Sequence, residues 1–131
     1  MLRPEQALQQ TVVKHLEARV SPGVVWFSVP LNKHGTGRKF HIQGAIAKSM
    51  GARKGVSDLI FLHKGRAFAL ELKAEKGGTT KEQDDFLMDW NNAGGICFVA
   101  EGLDKALKIL EAWGILVGSV TTGGVTHETP Y

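Results

Sequence analysis

Cysteine is nearly absent from this sequence, since Cys97 is the one thiol in a chain of 131 residues. A single cysteine excludes an internal disulfide and is typical of a reducing compartment, so we expect the protein in the cytoplasm. Long apolar runs are absent as well, and the first ten residues contain Glu, Gln and Pro without an apolar centre. The sequence therefore predicts no membrane span and no signal peptide.

Acidic residues are missing from residues 33–54, although the whole chain carries 13 acidic against 16 basic residues. The basic residues and histidines of this stretch are Lys33, His34, Arg38, Lys39, His41, Lys48, Arg53 and Lys54. Such a local positive field suits binding of a polyanion, and nucleic acid is the first candidate. The alternative is a solvated basic loop without a binding role. Gly35 and Gly37 lack the spacing of a Walker loop, which excludes that kind of nucleotide binding.

Repeats and linker-like segments are also absent, and the length suits a core that needs no metal or disulfide. We predict a single α/β domain over residues 1–131, with its core at about 4–113 and residues 114–131 as a C-terminal tail or edge element. Periodicity and turn residues predict helices at 4–19, 40–50, 81–93 and 103–113, and strands at 24–29, within a 55–73 hairpin, and at 96–100.

The hairpin stretch from Gly55 to Lys73 carries charged residues inside two apolar strands. A two-residue turn at Lys64-Gly65 brings Asp58 directly opposite Glu71. Opposed residues have Cβ atoms roughly 4.5–5.5 Å apart, so the two carboxylates repel unless a cation lies between them or one is protonated. Lys73 follows on the same face, and oxygen ligands of this kind suit Mg²⁺ or Mn²⁺. An exposed cluster held by simple ion pairing is the alternative.

Both faces of this hairpin are apolar enough to predict helical layers on either side. Two polar residues on those helices are expected near the strand ends. Glu5 lies on or beside the inward stripe of the first helix, and a first-turn acid favoured by the helix dipole is the alternative. Gln83 lies one turn before Phe86 on the inward face, and it also forms a capping box with Thr80, so two roles compete for one side chain.

The hairpin resembles the signature of the PD-(D/E)XK nuclease superfamily. The matching residues are Gly-Val-Ser-Asp at 55–58 and, after a further twelve residues, Glu-Leu-Lys at 71–73. Within it the chain is most similar to the VRR-NUC (virus-type replication-repair nuclease) family, whose small stand-alone members occur in phages and prophages. The similarity extends over about residues 5–113. Its further parts are the first strand and loop at 29–32, the segment 48–58, the Gly-rich turn and glutamine helix at 77–83, and the last strand at 95–100. One departure is Ser57, where the superfamily has Pro.

The resemblance implies a restriction-endonuclease-like core of order α-β-β-β-α-β, with a mixed sheet flanked by helices. It implies a Mg²⁺-dependent (or Mn²⁺-dependent) nuclease that hydrolyses DNA phosphodiester bonds. Asp58, Glu71 and the backbone carbonyl of Leu72 would be metal ligands. Lys73 would orient or deprotonate the attacking water and stabilise the phosphorane charge. Glu5 would act through water or a second metal.

The same resemblance gives Gln83 the role of positioning Lys73 or the phosphate, and makes the basic stretch the DNA contact. The expected phosphate partners are Arg38, Lys39, Lys48, Arg53 and Lys54. Structured or branched DNA in replication, recombination or repair is the expected substrate, as for a Holliday-junction resolvase, in a bacterial or phage-infected cell. Symmetric junction cleavage requires a homodimer.

The apolar residues after the last helix serve either such a dimer interface or the core; they are Trp113, Ile115, Leu116 and Val117. Two other functions stay open. A nucleic-acid-binding protein without catalysis would use the basic 33–54 stretch, but binding alone does not need paired carboxylates. A small metal-dependent hydrolase of another substrate is disfavoured by the acid-free basic stretch.

Overall fold

Helices and strands alternate along the part of the chain that the computed structural model describes, which is residues 1–29, the backbone of 38–43 and residues 44–118. The elements are α1 (Pro4–Arg19), β1 (Val25–Ser28), α2 (Arg38–Ser49), β2 (Leu59–His63), β3 (Arg66–Lys73), α3 (Lys81–Asn92), β4 (Ile96–Glu101) and α4 (Leu103–Ala112). The predicted α-β-β-β-α-β order is confirmed by α1, β1, β2, β3, α3 and β4. None of the described helices has the length and apolar character of a membrane span.

The four strands form one mixed sheet in the order β1-β2-β3-β4. β1 pairs with β2 and β2 with β3 in antiparallel fashion, whereas β3 and β4 are parallel and connected through α3. Lys64 and Gly65 both have positive φ, 49° and 79°, as a tight two-residue hairpin turn requires. The turn pairs His63 with Arg66, which confirms the predicted register.

One face of the sheet carries the hydrophobic core. Alternate residues of the hairpin pack there against α1 and α4, because a strand presents every second side chain to the same face. The core side chains of these elements are Leu59, Phe61, Phe68, Leu70 and Leu72 from the hairpin, Val12 and Leu16 from α1, and Ala106 and Leu110 from α4.

The chain after α4 closes this core. Ile115 and Leu116 are fully buried, and Leu116 forms an antiparallel bridge with Val20 at the end of α1. The side chain of Arg19 ties the two ends together by donating to the carbonyl of Val117 and to the carboxylate of Glu111, each at 2.7 Å. Residues 115 and 116 therefore belong to the core, which was one of the two roles that the sequence left open for them.

On the second face, the described part of the chain provides a covering helix over β3 and β4. Helix α3 packs there, and the Trp90 indole donates to the carbonyl of Ile96 at 3.0 Å. Over β1 and β2, by contrast, Phe27 and Leu62 are 54% and 51% exposed. Among the described residues, the expectation that helices cover both faces of the hairpin is thus correct for β3, whereas no described helix covers Leu62 of β2.

Helix α2 confirms the predicted element but not its predicted packing. The helical spacing of Ala45, Ile46 and Ser49 predicts that these residues face inward. Ile46 is nevertheless 56% exposed, and Ala45 and Ser49 are exposed too. Helical spacing identifies an apolar stripe without showing that a surface lies opposite it. The predictions for residues 30–37, and for the side chains of Arg38 and Lys39, concern parts of the chain outside the described residues.

Candidate active site

The hairpin register brings Asp58 and Glu71 opposite each other. Leu59 pairs with Leu70 as the last pair of β2 and β3, so Asp58 lies one step further, against Glu71. Glu71 is 1% exposed and Asp58 is half-buried. An Asp58 carboxylate oxygen accepts the backbone N–H of Leu72 at 2.7 Å, which fixes the aspartate to the opposite strand.

The backbone of Leu72 turns toward Asp58. The next residue, Lys73, accepts a hydrogen bond from the N–H of Gly102 at 2.9 Å, on the β4 side. Backbone groups of successive strand residues point to opposite edges, and the N–H and C=O of one residue point to the same edge. Since the Leu72 N–H meets Asp58, its carbonyl also points to the Asp58 edge.

Lys73 is a buried cation on the same face as Glu71. It is 6% exposed, and its Nζ lies 3.8 Å from Glu71 Oε2. Two charges removed from water are strongly unfavourable unless they pair with each other and with further hydrogen bonds. A buried pair of this kind at the end of an otherwise apolar strand is a candidate functional site.

Gln83 joins the site to the first turn of α3. Its Nε2 donates to Glu71 Oε2 at 3.0 Å, and its Oε1 accepts the backbone N–H of Thr80 at 3.0 Å. The Thr80 hydroxyl in turn accepts the N–H of Gln83 at 3.2 Å, which completes the predicted capping box. The expected competition between capping and the site is therefore wrong, because a carboxamide offers both a donor and an acceptor.

Glu5 approaches the site from α1 at Gly77. A Cβ built on Gly77 would lie 3.4 Å from Glu5 Oε2 and 3.5 Å from Lys73 Cδ, so both side chains converge on this glycine. Within the described residues, no three side chains of His, Cys, Asp or Glu form a group that could hold a metal ion. The oxygen set at the hairpin is two carboxylates and the Leu72 carbonyl, a hard donor set that fits Mg²⁺ or Mn²⁺ with water completing the shell.

The segment before Asp58 packs directly on α3, a contact that sequence reasoning missed. Gly55 has φ +81°, and a Cβ there would lie 2.2 Å from the carbonyl oxygen of Glu82 and 2.6 Å from the amide nitrogen of Gln83. Only glycine combines this backbone conformation with so close an approach. The glycine that opens the Gly-Val-Ser-Asp motif was the available signal.

The described basic residues of the 33–54 stretch differ in their surroundings. Lys48 and Lys54 are exposed, as a phosphate contact requires. Arg53 instead forms an ion pair with Asp89 on α3, with Nη2 and Oδ2 2.7 Å apart. Cys97 is no nucleophile candidate, because burial raises the pKa of its thiol and its Sγ–H points to the Leu87 carbonyl, 3.7 Å away.

No protein-family model matches this sequence, and none of the curated proteins does. A solved structure described as a VRR_NUC domain protein is similar in fold, with a TM-score of 0.69 and 18% sequence identity. The similarity covers 86% of this chain and 89% of that one. The chain therefore has the α/β fold of a VRR_NUC domain protein, the fold that its motifs predict.

Proposed function

We propose that this protein is a metal-dependent nuclease that hydrolyses phosphodiester bonds of DNA. The observation that carries the proposal is the buried Lys73 beside Glu71, with Asp58 opposite, in a fold shared with a VRR_NUC domain protein. Binding alone does not need two carboxylates and a lysine together in an apolar strand pair. A site that must hold a cation and activate water does need them.

The residues divide the chemistry between them. Asp58, Glu71 and the Leu72 carbonyl would hold Mg²⁺ or Mn²⁺, which supplies Lewis acidity and lowers the pKa of bound water. Lys73 would orient or deprotonate the attacking water and offset the negative charge that grows on the phosphate oxygens. Gln83 fixes Glu71 through its hydrogen bond. Glu5, beside Gly77 and Lys73, would act through water or a second metal.

A cleavage assay on the purified protein tests this proposal. Labelled linear, flap and four-way-junction DNA are incubated with Mg²⁺, with Mn²⁺ and with a chelator. We expect cutting in the presence of either metal, none with the chelator, and the highest rate on branched DNA of the kind that arises in replication, recombination or repair. Tight binding without cutting under any metal would overturn the proposal in favour of a non-catalytic DNA-binding protein.

The exposed lysines of the basic stretch are proposed to contact phosphates. Replacing Lys48 and Lys54 together by Ala should weaken DNA binding in the presence of chelator and flatten its salt dependence. Each phosphate contact contributes about 0.9 to the slope of log affinity against log salt. The matched control replaces Lys105 and Lys108, which are exposed on α4 across the sheet. A slope that the first pair leaves unchanged would contradict these contacts.

Cleavage of both strands of a four-way junction needs two sites in symmetric positions. If junction DNA is the preferred substrate, we propose that the protein acts as a homodimer. Size-exclusion chromatography with light scattering, with and without junction DNA, measures the stoichiometry of the complex. A single chain per junction that still cuts both strands symmetrically would contradict this arrangement.

A further inference from the structure

Arg53 is held on α3 by two different contacts. Its Nη2 lies 2.7 Å from Asp89 Oδ2, and its guanidinium carbon lies 5.4 Å from the centre of the Phe86 ring. The side chains of Arg53 and Asp89 are 46% and 62% exposed, so the ion pair contributes little to stability by itself. Its geometric effect is larger, because a planar guanidinium that pairs with a carboxylate and stacks over a ring has few other orientations.

The same short segment touches α3 at a second point. Gly55, two residues after Arg53, lies against the backbone of Glu82 and Gln83 in the first turn of the helix. Asp58 follows three residues later. A chain fixed at both Arg53 and Gly55 enters β2 in one direction, and that direction determines where the Asp58 carboxylate lies.

Helix α3 thus contacts strand β3, which carries Glu71, and the segment before β2 that leads to Asp58. Helix α3 holds Glu71 through the Gln83 side chain. It holds the segment before Asp58 at two points, because its first turn contacts Gly55 and its residues Phe86 and Asp89 contact Arg53. The same helix, α3, therefore positions both Asp58 and Glu71, the two carboxylates proposed to share a metal ion. A loss of either attachment changes the distance between the carboxylates.

We infer that Arg53 is a positioning residue, which fixes Asp58 through Asp89 and Phe86, and that it is not a phosphate contact. The inference rests on the proposed nuclease function and assigns Arg53 a different role from Lys48 and Lys54. The Arg53 guanidinium already forms an ion pair with Asp89 of α3 at 2.7 Å, so its charge is paired within the protein.

Two substitutions of opposite charge separate the two roles. Arg53→Ala removes a positive charge, and Asp89→Asn removes a negative one. A phosphate contact predicts opposite effects: the first variant weakens DNA binding and the second strengthens it and speeds cleavage. A positioning role predicts that both variants slow cleavage, on the order of 10-fold, since a displacement of about 1 Å can cost roughly 100-fold. The double variant should be no slower than the slower single one, because both remove the same interaction.

Hydrogen exchange of the Leu72 amide supplies a readout that does not depend on activity. This N–H donates to Asp58, so its protection reports the position of the aspartate. We expect faster exchange in both single variants, together with weaker Mn²⁺ binding measured calorimetrically without DNA. The slope of DNA affinity against salt, measured in chelator, should be the same for Arg53→Ala as for Lys108→Ala on α4.

Asp85→Asn is the matched control on the same helix, because it breaks the exposed Lys81–Asp85 ion pair without touching residues 53–58. It should leave Leu72 exchange and cleavage at wild-type values. Opposite effects of Arg53→Ala and Asp89→Asn on cleavage, or unchanged Leu72 exchange in both, would overturn the inference. A wild-type protein that cuts no DNA would overturn the nuclease proposal, while the exchange measurement would still decide the position of Asp58.

Discussion

Replacing Lys73 by Met is expected to lower the rate of DNA cleavage by at least about 100- to 1,000-fold, the loss that follows removal of one group that stabilises transition-state charge. Methionine keeps the length and apolar stem of lysine, so the buried space stays filled. The ammonium that lies 3.8 Å from Glu71 is lost, and with it the proposed cation that faces the scissile phosphate. Single-turnover cleavage with saturating Mg²⁺ measures the change.

Two further variants separate chemistry from folding in this experiment. Lys73 pairs with a carboxylate that is 1% exposed, so its loss also disturbs stability. Asp58→Asn keeps an oxygen that can accept the Leu72 N–H, and it should lose cleavage to a similar extent with less effect on unfolding. Lys105→Met, on α4, should behave as wild type. Full activity of folded Lys73→Met and of Asp58→Asn would contradict the proposed site.

Gly55→Ala should have the second largest effect, on stability and on cleavage together. The residue has φ +81°, and a Cβ there meets the backbone of Glu82 at 2.2 Å. Backbone atoms of a helix cannot rotate away as a side chain does, so α3 or the segment before Asp58 must move. We expect a loss of about 2–5 kcal/mol in the free energy of unfolding, from backbone strain and overpacking combined.

Gly51 provides the control for this experiment. It has a similar φ of +96°, but a Cβ there meets nothing within 4 Å. Gly51→Ala therefore includes only the backbone strain, about 1–2 kcal/mol, and should leave the cleavage rate of the folded protein unchanged. Urea unfolding and single-turnover cleavage of both variants compare the two. Equal losses of unfolding free energy and of cleavage rate for Gly51→Ala and Gly55→Ala would show that the contact of Gly55 with α3 contributes to neither.

The hairpin was predictable because its information is local. A two-residue turn at Lys64-Gly65 sets the register, and the alternation of strand residues determines which side chains share a face. The pairing of Asp58 with Glu71 and the face of Lys73 follow from counting alone. The capping box at Thr80 is equally local, since its two residues are three apart.

The contacts of α3 with the hairpin were not predictable in the same way. Composition identifies Arg53 as one of several basic residues but cannot show that Asp89, 36 residues further along the chain, faces it. That contact depends on where α3 lies on the sheet. The same limit explains the exposed Ile46 and Leu62, which carry apolar patterns that no described element covers. Periodicity defines a face, and only the packing of elements decides what lies against it.

The turn at Lys64-Gly65 has a consequence for how this chain tolerates changes in length. Exposed hairpin tips usually accept insertions, since little contacts them. Here the tip is six residues, or roughly 20 Å of strand, from Asp58. An inserted residue that slides one strand past the other would put Asp58 and Glu71 out of register, although every motif residue would still be present. The spacing of twelve residues between Asp58 and Glu71 is therefore as much a part of the site as the side chains themselves.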